Sequence, residues 1–107
     1  KKQAISLFKE KKFKDSIDLL IQCTEYKEKG SEELAAINLN ISNCFYNLYS
    51  LYKDKSNLEK SEFYAEEAIK LNSKYLKAYW RKAKIYEVKG DNIKSLENLK
   101  SCLKIDP

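Results

Sequence analysis

The sequence predicts an all-α chain of six antiparallel helices. They form three helix-turn-helix units stacked as an α-solenoid, with an extended third helix. Three observations predict this. Leu, Lys, Glu, Ala and Ile are abundant, while two Gly and one Pro are too few for the tight turns of an all-β fold. Apolar residues recur at helical spacing along most of the chain. Similar segments also return at a fixed interval. With 107 residues, 43% of them hydrophobic, the chain holds one domain and one continuous core.

The interval is read from paired segments. "SEFYAEEAIKLNS" lies over "SLENLKSCLKIDP" at a shift of 34, pairing Ser61 with Ser95 and Ala68 with Cys102. A third copy, "SIDLLIQC", puts Ser16 and Cys23 another 45 residues earlier. Ala4, Ser42 and Ala83 are small residues, each followed three positions later by a large one: Leu7, Phe45 and Tyr86. Their separations of 38 and 41 fit a unit of 34 with four extra residues near 25–33 and seven near 46–57. Small residues have a packing reason, because two helices approach closely only where side chains are short.

The elements follow in order. Helices are expected at 1–11 and 13–28, at 31–53 and 57–71, and at 76–89 and 92–105, giving units of about 1–30, 31–75 and 76–107 within one domain. "NLYSLYKDK" contains no helix breaker, so the third helix should run past Tyr49 and displace its turn outward. Leu34, Ile37, Ile41, Phe45, Leu48 and Tyr52 then make one apolar stripe. In the last unit Gly90-Asp91 supplies a turn and Pro107 blocks extension.

Composition excludes several functions. There is no histidine, so Ser/His/Asp or Cys/His catalysis and an ordinary zinc site have no ligand or base, and no glycine-rich phosphate loop is present. No cofactor is expected, and this domain is not expected to be an enzyme. Cys23, Cys44 and Cys102 are an odd set among apolar neighbours and read as small core residues in a reducing, cytoplasmic setting. No apolar run reaches the roughly 20 residues of a membrane span, so no membrane partner is expected. The charge of +5 suits acidic partners. Lys9, Lys11, Lys12 and Lys14 cluster, but no aromatic residues alternate with lysines as an RNA-stacking track requires, so no nucleic acid is expected. A small-molecule substrate is likewise not expected. Beginning at Lys without Met, the chain reads as a fragment of a longer protein.

One residue stands out. Arg81 is the single arginine among twenty lysines, and "LKAYWRKAK" places it one helical turn after Lys77. Like charges at that spacing repel by a few tenths of a kcal/mol. A guanidinium offers a planar fork of donors suited to a carboxylate, where a lysine offers a point charge.

The period of 34, the aromatic-rich "AYWRKAKIYEVKGDN" and the closing proline resemble the tetratricopeptide repeat over essentially the whole chain. More closely, the chain resembles the carboxylate-clamp domains of co-chaperones. That resemblance implies a groove for the acidic C-terminal Glu-Glu-Val-Asp peptide of heat shock protein 90 or heat shock protein 70. It places clamp residues at Lys77 and Arg81 in "KAYWRKA", at Asn40 in "LNISNCFY", and at Lys1. A register one residue later would use Lys2 and Ser6 in the first unit. At Ile5 the family has an asparagine, and isoleucine cannot donate to a carboxylate. Asn43 and Asn47, in a stripe with Asn40, and Lys84 are possible further groove contacts; ordinary exposed surface is the competing reading for all three. Tyrosines and Trp80 read as packing residues. The alternative function is a scaffold that holds an internal helix or partner subunit without reading a free terminus. A prolyl isomerase or other enzyme elsewhere in the full-length protein is compatible with either.

Overall fold

The computed structural model describes residues 2–25 and 30–106, with side chains from residue 9 onward in the first helix. Five helices are described: α1 (Lys2–Thr24), α2 (Ser31–Tyr52), α3 (Lys55–Leu71), α4 (Leu76–Lys89) and α5 (Asn92–Ile105). There is no strand among the described residues. Each helix packs on its neighbour in chain order, and α2 also touches α4. The envelope of 45 × 38 × 21 Å is two helix diameters thick, as a two-layered stack of helices should be.

Turn chemistry decides where the helices break. After α4, Gly90 takes a left-handed φ of 83°, its N–H bonds Glu87, and the N–H of Asp91 bonds Tyr86. The Asp91 carboxylate then caps α5 by accepting from the Lys94 N–H at 3.1 Å. The turn after α2 does the same work without glycine. Lys53 is left-handed at φ 57°, and Asp54 accepts from the Ser56 N–H at 3.0 Å. In the repeat register the corresponding first-unit residues are Lys11 and Lys12. Neither is a glycine or a capping acid. The helix therefore continues, and the two helices expected at 1–11 and 13–28 are one. Six helices become five. Glu10 holds the junction, pairing with Lys14 at 2.7 Å and accepting from the Tyr52 hydroxyl at 3.0 Å. The end of α1 comes at Thr24, short of the expected residue 28; residues 26–29 lie outside the described residues.

The extended third helix is present as α2, unbroken past Tyr49. The seven extra residues are shared between two helices. Ser42 to Lys53 is four residues longer than Ala83 to Gly90, and Asp54 to Ser61 is three longer than Asp91 to Ser95. Each helix thus gains about one turn, which keeps its buried face in phase.

Small residues hold the helix pairs together. Ser61 Oγ donates to the Ser42 carbonyl at 2.8 Å, and Ser42 Oγ donates to the Ser61 carbonyl at 2.6 Å. One unit later Ser95 Oγ donates to the Ala83 carbonyl at 2.9 Å, the same bond repeated. Ala35, Leu39, Ala68 and Ala78 form one buried cluster joining α2, α3 and α4. Ile17, Ile41 and Leu48 form another, backed by Phe13, Leu20, Ile21 and Phe45, that seats α1 on α2. Of the expected apolar stripe on α2, the middle is buried and Tyr52 at its end is 46% exposed. All three cysteines are free and partly buried.

Candidate functional site

Because α2 and α4 lie side by side, residues of one reach the other. Around α4, Lys77, Arg81 and Lys84 fall within about 60° of one another at 3.6 residues per turn. The guanidinium of Arg81 crosses to α2, with its carbon 4.6 Å from the Tyr46 ring centre and 5.5 Å from that of Trp80. Such cation–π seats are worth about 0.5–2 kcal/mol and hold the group's orientation.

Arg81 is a partly buried cation that makes no ion pair among the described residues. Its neighbours on α4 are treated differently: Lys82 lies 3.6 Å from Glu66, Lys84 lies 3.7 Å from Glu87, and Lys89 pairs with Glu62. The buried Nε of Arg81 has no hydrogen-bond partner. Burial lowers its pKa below the usual guanidinium range, partly offset by Tyr46. Partly desolvated and without an ion pair among the described residues, the group can gain from an arriving anion.

A second unpartnered atom is on α2. Asn43 Oδ1 is buried without a donor. Asn43 precedes Tyr46 by three residues, so it stands beside the aromatic that carries Arg81. The two unpartnered atoms are thus a donor on α4 and an acceptor on α2. A peptide terminus presents both.

The remaining expected residues are placed as follows. Asn40 and Asn47 are exposed on α2, about 60° or less around the helix from Asn43. Lys77 is exposed one turn before Arg81 and makes no ion pair among the described residues. Lys84 is half-exposed, with Glu87 and the Trp80 ring, 5.3 Å away, as partners. Lys1 lies outside the described residues. Ile5 is in the backbone of α1, which does not fold back toward α2 and α4 at Lys12. Sequence reading missed Tyr46 and Trp80 as the seat of Arg81. Trp80 adjoins it in the chain, but no local signal could give Tyr46, which meets it only through packing. Among the described residues no group of three or more His, Cys, Asp or Glu is placed to hold a metal. Among the described residues no helix is long and apolar enough to cross a membrane.

The stacked helix pairs and their repeated serine bond define an α-helical repeat protein. Residues 42–75 and 76–107 each match the tetratricopeptide repeat family, and together these stretches span more than half of the chain. The chain belongs to that family and is a module for protein–protein interaction. No curated relative is found by sequence similarity.

Proposed function

We propose that this domain is the docking module of a co-chaperone in the cytoplasm. It binds the acidic C-terminal Glu-Glu-Val-Asp peptide of heat shock protein 90 or heat shock protein 70 in the groove between α2 and α4. The observation that carries this reading is Arg81: a partly buried guanidinium, held by two aromatic rings, with an unpartnered Nε and no ion pair among the described residues. A terminal carboxylate supplies the missing partner. Lys77 and Asn40 add a point charge and a neutral amide from the two sides, and Asn43 accepts from the peptide backbone. Lys1 belongs to the same proposed set through the first unit. Ile5 removes one donor that the clamp family has.

The test is a pair of variants titrated with one acidic peptide. Arg81→Ala should weaken binding by about 2 kcal/mol or more, as loss of a charge-assisted bond does. Arg81→Lys should recover part of it, since charge stays and the fork is lost. If folded Arg81→Ala binds as tightly as the parent, the groove does not read a carboxylate. A scaffold role for an internal helix then takes its place.

A further inference from the structure

We propose that a notch below the α2–α3 turn is a second docking site, for a large apolar side chain that a partner segment presents beside acidic residues. The inference is independent of the Arg81 reading and starts from the length of this hairpin. In the last unit the helix turns at Gly90, seven residues after Ala83. Seven residues after Ser42 the chain has Tyr49, and α2 runs on to Tyr52. The partner helix is lengthened in step. α3 begins at Lys55, six residues before Ser61, where α5 begins at Asn92, three before Ser95. These extra turns project past the end of α4, which stops at Lys89. A cavity of about 330 Å³ remains at that step, lined by Tyr49, Lys55, Leu58, Glu59, Val88 and Lys89.

Apolar surface from three helices meets there. Leu58 of α3 is buried, Tyr49 of α2 is half-buried, and Val88 of α4 is 41% exposed. The volume is at the small end for a ligand site, enough for one large side chain and too little for a whole helix. Burying such a side chain takes apolar surface of both partners out of water. The rim selects the neighbours of that side chain. Lys53 lies 5.3 Å from the Tyr49 ring centre and Lys55 stands in the wall; neither makes an ion pair among the described residues. Lys89 is already engaged by Glu62, and the Asp54 carboxylate accepts from Ser56. Glu59 is the one acid of the lining, so two unpaired lysines face a single carboxylate. That surplus favours acids on either side of the apolar residue. Val88 follows Arg81 by seven residues, about 10 Å along α4, so the notch is separate from the seat of the guanidinium.

The test is an NMR titration of the isotopically labelled domain with acetyl-Glu-Asp-Phe-Asp-Glu-amide. This probe is blocked at both ends and has no terminal carboxylate, so its failure would leave the Arg81 reading standing. Saturable amide shifts are expected at Tyr49, Leu58, Val88 and Gly90. No saturable shift at these residues, or shifts confined to the surroundings of Arg81, overturns the proposal. Replacing the peptide's Phe by Ala should weaken binding by at least about tenfold. Equal binding of the two peptides would mean attraction by charge alone and also overturns it. Val88→Asp, at an exposed position, should remove the shifts with helical circular dichroism unchanged. Lys53→Glu with Lys55→Glu, both on the surface, should weaken binding of the same peptide, as should raised ionic strength. Binding that is indifferent to both variants uses another surface and contradicts the notch.

Discussion

Arg81 shows how much one side chain depends on its seat. Its guanidinium lies over Tyr46 and Trp80, and its charge makes no ion pair among the described residues. Removing the seat should therefore act on binding through orientation. Tyr46→Leu leaves an apolar side chain there but removes the ring quadrupole, so peptide binding should weaken by about 0.5–2 kcal/mol, the range of a partly buried cation–π contact. Unchanged affinity in calorimetry would mean the ring does not position the fork. A second residue-scale prediction concerns Lys53, which sits in the left-handed region at φ 57°. A side chain there costs roughly 1–2 kcal/mol, part of which glycine returns as extra unfolded-state entropy. Lys53→Gly should raise stability by about 0.5–1 kcal/mol in urea denaturation, the net of those terms. A destabilised variant would contradict strain at that turn.

At the scale of the element, the helix pairs depend on short side chains at their crossings. Ser42 and Ser61 are each 0% exposed and bond one another's carbonyls. The last unit does the same with Ala83 and Ser95. Ser42→Ala, which copies that arrangement, should cost no more than about 0.5–1.5 kcal/mol, one net hydrogen bond. Ser61→Leu must force α2 and α3 apart and should cost about 1–3 kcal/mol or more. Similar losses for the two would undo the close-approach explanation. Helix boundaries show what a sequence can and cannot reveal. The turn at Gly90-Asp91 was legible because both residues have a conformational reason to be there. The turn at Lys53-Asp54 was placed approximately, since only Asp54 signals it. The expected turn at Lys12 was carried over from the repeat register alone, and neither a glycine nor a capping acid stands there to favour it. Register predicts which residues face each other. It does not break a helix.

Across the whole molecule, charge ties neighbouring units together. Glu62 on α3 accepts from Tyr86 at 3.0 Å and pairs with Lys89, both on α4. Burial alone would raise its pKa, but the bonds from Lys89 and Tyr86 outweigh that and hold it below the ordinary 4.5. A carboxylate with a depressed folded-state pKa contributes stability above its unfolded value and loses it as pH falls through the folded one. Stability should thus decline below about pH 4.5, and Glu62→Gln should flatten part of that decline while lowering stability at pH 7. A profile unchanged by Glu62→Gln would show that the cluster does not couple α3 to α4. The candidate site was half legible at this scale. A lone arginine one turn after a lysine is visible in any reading of the chain. Its seat on Tyr46 arises only when α2 and α4 are stacked.

The most direct measurement is calorimetric titration of the domain with a Glu-Glu-Val-Asp peptide and with the same peptide amidated at its C-terminus. Amidation removes one carboxylate charge and leaves the rest of the ligand unchanged. If Arg81 forks onto that carboxylate, the free acid should bind at least tenfold more tightly, about 1.4 kcal/mol. Equal affinity for the two peptides would contradict a groove that reads a free terminus.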